Sequence, residues 1–311
     1  VIMTEGIVFH YTTIPALFGI VTKRELYLSD VRMLNDPTEL HLGLRYLRDL
    51  VADKIKQKKD VPTIYLQMLI DEVSSNTHRY GSLDDRTFVK WLEGLPQEVI
   101  AGYDMNVPSN PNKAFVFSCS RQRDKLDLWR PYGDDANGVM IAIDKDKLKK
   151  ALQEHSGLTD NVAWVNMRYD KTELCNELSK DLDAILNMYM SMEETNPDTP
   201  LHEPYSNLAR RLVSKKHRAY KSEKEIRLHV NQSVRPLRVE SDSGIRLEYV
   251  NSQTSVHRRL VLSLGSDLKP IIASVLLGPK HKGRATETMV REFLCDNGIE
   301  AVVSTSKVPY R

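Results

Sequence analysis

Short runs of β-branched and aromatic residues recur along this chain at irregular intervals, and that irregularity limits the fold more than any other feature. IVFHY (7–11), ELYLS (25–29), AFVFSCS (114–120), GVMIAID (138–144), residues 161–169, EKEIRLHV (223–230), residues 258–264 and 271–277 and a short run at 301–303 all read as strands. Helical stretches of very different length separate them. Thr12 or Thr13 can cap a helix through ALFGIVTK, with Pro15 tolerated in its first turn. Leu40, Leu44, Leu47, Val51 and Ile55 recur at helical spacing, as do Leu174, Leu178, Leu182, Ile185 and Tyr189 within 172–192. Residues 61–105, 205–219 and 286–296 also read as helical, and 106–113 as a loop. A strict strand–helix alternation would build a doubly wound parallel sheet. Its absence predicts an α+β chain: a twisted, mainly antiparallel sheet core with helical insertions at 40–105 and 172–219. With no linker-like tract and no internal repeat, a single domain over 1–311 is expected.

Composition narrows the functional classes. The 311 residues are 41% hydrophobic and 28% charged, an ordinary globular balance with enough apolar material for a sizeable core. A formal net charge of +2 is too small to announce nucleic-acid binding by bulk electrostatics, while leaving a local basic patch open. Cys119, Cys175 and Cys295 fit neither a zinc site nor a disulfide framework, so reduced thiols and a cytoplasmic location are expected. No apolar run approaches a membrane span, so no membrane partner is expected.

Several residues could carry chemistry, each with a structural alternative. His10 and Tyr11 end the first strand, where a side chain is held rigidly and can face a pocket, or where a histidine is simply satisfied by the core. Asn35, Asp36 and Glu39 cluster before a long helix, with the spacing of helix-start capping and only weak resemblance to a metal site. Ser118 and Ser120 share one face of a strand. Trp129 and Tyr132 are three apart, placed to stack on a planar ring or to fill core. Glu223, Glu225 and Arg227 alternate, so a single strand would put two carboxylates and a guanidinium on one face, either solvated or lining a cleft. Lys280, Lys282 and Arg284 follow a strand end and could meet phosphate or form a basic surface turn.

The order of these blocks is more specific than any one of them. FHYT (9–12), LYLS (26–29), LNDPTE (34–39), FSCS (117–120), LWRPYG (128–133), GVMI (138–141), EKEIR (223–227) and LGPK (277–280) together resemble domain-of-unknown-function family 2971. That family more distantly resembles the ADP-ribosyltransferase superfamily. The resemblance implies an ADP-ribosyltransferase-like fold that binds NAD as substrate, cleaves its nicotinamide–ribose bond and transfers ADP-ribose to a protein or nucleic acid, as bacterial toxins and antiviral effectors do. It implies His10 at the adenosine ribose, Tyr132 or its rival Tyr27 on the nicotinamide, and Glu225 with Glu223 at the nicotinamide ribose. Tyr11, Ser118, Trp129 and Arg227 would complete the NAD site, and no metal is implied. Two other functions stay open at this point. One is a non-catalytic nucleotide sensor. The other is a metal-dependent nuclease built on Asp36, Glu39, Glu223 and Glu225 with Lys280 and Lys282 on phosphate.

Overall fold

The computed structural model describes residues 6–31, 34, 38–57, 67, 70, 112–156, 158, 162–191, 207–208, 210–233, 244–251 and 256–310. Strand β1 (Ile7–Thr12) leads into helix α1 (Ile14–Lys23), whose N-cap Thr13 accepts a hydrogen bond from the Ala16 amide at 3.1 Å. Arg24, left-handed at φ 57°, ends that helix and turns the chain into β2 (Glu25–Asp30). Helix α2 (Thr38–Gln57) precedes β3 (Asn112–Ser120), and the short helix α3 (Leu126–Tyr132) precedes β4 (Val139–Asp144). Then follow α4 (Lys145–Ser156), β5 (Val162–Asn166), α5 (Lys171–Ser191) and a 3₁₀ turn at Arg218–Glu223. Strands β6 (Glu225–Ser233), β7 (Ile245–Asn251), β8 (Val256–Ser263) and β9 (Ile272–Leu277), helix α6 (Thr286–Asp296) and β10 (Val302–Thr305) complete the chain.

The ten strands form one sheet in the order β10-β9-β4-β1-β3-β2-β8-β7, with β6 on β3 and β5 on β6. Every pairing is antiparallel except β10 with β9, so the α+β expectation holds with one parallel edge added. Both faces are covered. Alternate residues of the central strands, such as Phe115, Phe117, Ile141, Ile226 and Leu228, pack with Leu17, Leu148 and Leu294 from α1, α4 and α6. On the other face Trp129 of α3 sits with Phe9, Tyr11 and Met140. Beside it Leu47 and Val51 of α2 pack with Leu174, Leu178 and Leu182 of α5 and with Val116. The two predicted apolar stripes therefore meet each other as well as the sheet. Among the described residues no helix is long and apolar enough to cross a membrane.

Several elements differ from the sequence reading, and 61–105 lies almost wholly outside the described residues. Strand β6 begins at Glu225 rather than Glu223, because a 3₁₀ turn ends at Glu223 and Lys224 is left-handed at φ 43°. Asn112 and Lys113, expected in a loop, extend β3 because Ser233 and Gln232 pair with them. The helix expected over 205–219 stops at 212, where the Ser214 hydroxyl donates to the Arg211 carbonyl at 2.7 Å and diverts the chain. Strand β7 was not anticipated: RLEYVN is an edge strand with half-buried and exposed residues, so it lacks a strong apolar alternation.

Leu182 is 1% exposed between α5 and α2. Leu182→Ala should lower unfolding free energy by about 2–5 kcal/mol, read from denaturant melts. A loss under about 1 kcal/mol would mean the two stripes do not form a packed core.

Candidate functional site

One edge of β3 is divided between two neighbours. Strand β1 pairs with it only at Phe9 and Ser120, whereas β2 pairs only with Val116 and Phe115. In the interval between them the backbone carbonyl of Ser118 is met by a side chain: His10 Nδ1 lies 2.9 Å from it. A carbonyl only accepts, so Nδ1 carries the hydrogen and Nε2 of the neutral ring is left as an acceptor. Burial lowers the imidazole pKa to about 4 against the opposing hydrogen bond to Ser118, so the ring is neutral near pH 7. It also packs on Phe117, ring centres 4.2 Å apart.

A cavity of about 170 Å³ opens where β1 parts from β3. His10 and Tyr11 come from β1, Ser118 and Ser120 from β3, and Tyr132 from the end of α3. Strand register brings the rest: Arg227 stands opposite Ser118 and Glu225 opposite Ser120, on the face where β3 carries serines. Glu223 reaches the same cavity from the 3₁₀ turn. The left-handed residue Lys224 lies between the two glutamates and turns the chain so that both address one point.

That point is the ammonium of Lys216, which donates to Glu223 Oε2 at 2.6 Å and to Glu225 Oε2 at 2.7 Å. Arg227 grips Glu225 from the other side, Nε on Oε1 at 2.6 Å and Nη2 on Oε2 at 3.1 Å. Tyr132 donates to Glu223 Oε1 at 2.9 Å. Glu225, Arg227 and Lys216 are all buried, and burial opposes each charge. For Glu225, burial pushes the carboxyl pKa up, but the charges and hydrogen bonds of Arg227 and Lys216 outweigh it and bring it down to about 2. For Lys216, burial pushes down, but Glu225 and Glu223 hold the ammonium above its ordinary range. Two acidic and two basic side chains are thus joined by short contacts, Glu225 held as an anion and Lys216 as a cation, beside a neutral imidazole. Burial, and after it the Lys216 and Glu223 charges acting in opposite senses, leave the Tyr132 hydroxyl above its ordinary pKa and so protonated as a donor. Cys119 also lines the cavity; burial and the Glu225 charge raise its thiol pKa, which removes it as a nucleophile.

Of the residues singled out from sequence, His10, Tyr11, Ser118, Ser120, Tyr132, Glu223, Glu225 and Arg227 meet in this cavity. Trp129 does not. It is fully buried, its ring edge-on to Tyr11 at 5.0 Å and its Nε1 donating to Asp124 at 2.9 Å, so it anchors α3 to β1. Tyr27 does not line it either: its hydroxyl donates to Glu25 and Arg259 lies over its ring at 4.2 Å. Of the two alternatives for Glu223, Glu225 and Arg227, a solvated face or a cleft lining, the structure shows a buried array lining the cavity, with Glu223 in the turn before the strand rather than on it. Lys280, within a three-residue 3₁₀ turn, pairs with Asp135 at 2.6 Å, and Lys282 and Arg284 are exposed, which is the basic surface turn of the two alternatives. Asn35, Asp36 and the side chain of Glu39 lie outside the described residues. Lys216 and Tyr220 were missed. The one available signal for Lys216 was physical: two carboxylates on one buried face demand a second cation besides Arg227.

Residues 128–228 match the family described as Protein of unknown function (DUF2971). The DUF2971 match runs from Leu128 in α3 to Leu228 in β6, and so contains Tyr132, Lys216, Tyr220, Glu223, Glu225 and Arg227, while His10 and Ser118 lie outside it. No curated protein and no solved structure matches the chain.

Lys216→Met should cost about 3–5 kcal/mol in urea melts at pH 7, because it strands two buried carboxylates. His10 gives a separate signature. Its pKa is lower folded than unfolded, so between about 6.5 and about 4 the unfolded chain binds the extra proton, and stability is lost as pH is lowered across that window. His10→Gln should flatten the stability profile there. An unchanged profile would place the imidazole in solvent.

Proposed function

We propose that this cavity binds NAD as substrate and that the protein is an ADP-ribosyltransferase-like enzyme. The observation that carries the reading is the meeting of His10, Tyr132 and Glu225, from three distant segments, in one cavity. In the proposed reaction the bond between nicotinamide N1 and ribose C1′ breaks, and its electron pair leaves with the ring, neutralising the pyridinium. An acceptor atom of a macromolecule, or of water, forms the new bond to C1′ and loses its proton. Positive charge grows at C1′ as in other glycosidic cleavages. Glu225, ionised and locked in orientation by Arg227 and Lys216, faces that charge and accepts a ribose hydroxyl. His10 Nε2 accepts from a ligand hydroxyl, and the Tyr132 ring bounds the nicotinamide. A role as a cytoplasmic toxin or antiviral effector is proposed by analogy with the superfamily alone.

A second reading, a non-catalytic nucleotide sensor, is favoured by the same array, since both Glu225 oxygens already accept hydrogen bonds from Arg227 and Lys216. The nuclease reading loses support at this point, because Lys216 Nζ already occupies the place where Glu223 and Glu225 converge.

The discriminating experiment is incubation with NAD, with free nicotinamide and NAD binding measured together. The transferase reading expects release in wild type, reduced about 10²-fold or more in kcat by Glu225→Gln, and a raised KM in His10→Ala. Binding without release, under conditions that include protein and nucleic-acid acceptors, selects the sensor. Neither binding nor release rejects both.

A further inference from the structure

The segments that run on from the cavity lining carry a charge pattern that the array at its floor does not explain. Two segments border it. Residues 121–125 follow Ser120 of the lining, and residues 217–224 run through Tyr220 and Glu223 of the lining. Their backbones are joined, the Arg121 amide donating to the Lys224 carbonyl at 3.0 Å, and the Tyr11 hydroxyl ties the first segment to β1 through the Gln122 carbonyl at 3.0 Å. Arg121, Arg123, Lys125, Arg218, Lys221 and Lys224 are all exposed. Both acids in these segments are turned inward: Asp124 accepts from Trp129 Nε1 and from the Ser306 hydroxyl, and Glu223 is buried on Lys216 and Tyr132.

Elsewhere several charged side chains of the sheet and of α5 are matched, as in Glu25–Arg246–Glu248–Arg259, Asp30–Arg258 and Arg168–Glu177–Arg211–Asp181. Among the described residues none of the six rim cations forms an ion pair; Arg121 reaches the neutral amide of Asn166, and Lys221 acts on Asp170 only at longer range. An overall charge near neutrality thus hides six cations against two acids on two adjoining segments. Six cations exceed what one diphosphate can use. Between Arg218 and Lys221 stands Tyr220, 39% exposed, one of the few large exposed aromatics, and its ring lies 4.8 Å from the buried Lys216 ammonium. A basic track interleaved with an exposed aromatic is how proteins hold single strands: cations follow the phosphates, and the aromatic face takes a base.

We propose that this rim binds single-stranded nucleic acid across the cavity mouth, with Tyr220 stacking on a base. That the strand then supplies the acceptor atom rests on the transferase reading; the binding itself does not.

The test is fluorescence anisotropy of a labelled single-stranded oligonucleotide of about 20 nucleotides, in RNA and DNA forms, without NAD. Binding is expected at about 50 mM salt, weakening about 10²–10³-fold by about 200 mM if all six cations meet phosphates. Combined Arg121→Ala, Arg123→Ala and Lys125→Ala should lose tenfold or more in affinity and flatten the salt slope. Tyr220→Ala should lose roughly 5–100-fold while leaving the slope unchanged, and Tyr220→Phe should bind as wild type. Thermal melts of each variant within about 2 °C of wild type establish that the fold is intact; should the triple variant melt lower, Lys221→Glu with Lys224→Glu on the other segment takes its place. Equal binding of duplex, of heparin and of single strands, with no Tyr220 effect, would overturn the proposal, as would no binding at low salt. Nicotinamide release measured in parallel separates the two failures. Loss of oligonucleotide binding leaves a releasing enzyme with another acceptor, while binding without release leaves the rim and rejects the transfer.

Discussion

Four charged side chains held away from water govern the site. Glu223 and Glu225 would repel one another and resist ionisation if buried alone, and Lys216 and Arg227 would resist it equally. Together they form an array in which each charge is the condition for the others. The cost of burying them is offset only while all four keep their geometry, so the array fixes where the 3₁₀ turn ends, where β6 starts and how α3 approaches, since Tyr132 donates into it. The result is a polar floor whose charges sum to nothing and whose orientation is set before any ligand arrives, the condition under which electrostatic stabilisation is most effective.

The sheet supplies the opening. Because β1 and β2 share one edge of β3, a stretch of that edge has a carbonyl to satisfy, and His10 satisfies it while facing the cavity. On the same sheet face α3 supplies Leu128 and Tyr132 to the lining and is anchored by Trp129, and the α2–α5 pair packs beside it. A cleft between two helical patches, floored by charges from a sheet strand, is a common location for a ligand site. The basic rim lies above it on loop and turn, where substitutions change a partner at little cost to the core.

Much of this was legible in the residues and some was not. The strands with strong β-branched alternation were read within a few positions, because burial on two covered faces leaves little choice of residue. Strand β7 escaped, since an edge strand needs no apolar face. The helical stripes of Leu47 and Val51 and of Leu174, Leu178 and Leu182 were both plain, whereas their pairing with each other was a matter of tertiary packing. At the site, period two brought out Glu225 and Arg227, and the order of the blocks brought in His10 and Tyr132. Lys216 sits in an irregular segment after a helix that ends early, so no periodicity marks it. Trp129 misled because a ring that stacks on ligand and a ring that anchors a helix have the same sequence signature, and only its complete burial separates them.

The most direct measurement is a carbon-13 NMR titration of the glutamate side-chain carboxyls, with Glu225 assigned by comparison with Glu225→Gln. The account predicts that Glu225 remains ionised on lowering pH through the ordinary carboxylate range near 4.5, down to about 2 or to the onset of acid unfolding. In Lys216→Met one of the two carboxyls should instead take up a proton well above that range. A wild-type Glu225 that protonates between pH 5 and 7 would contradict it, because the array would then not be the charged floor on which the site is built.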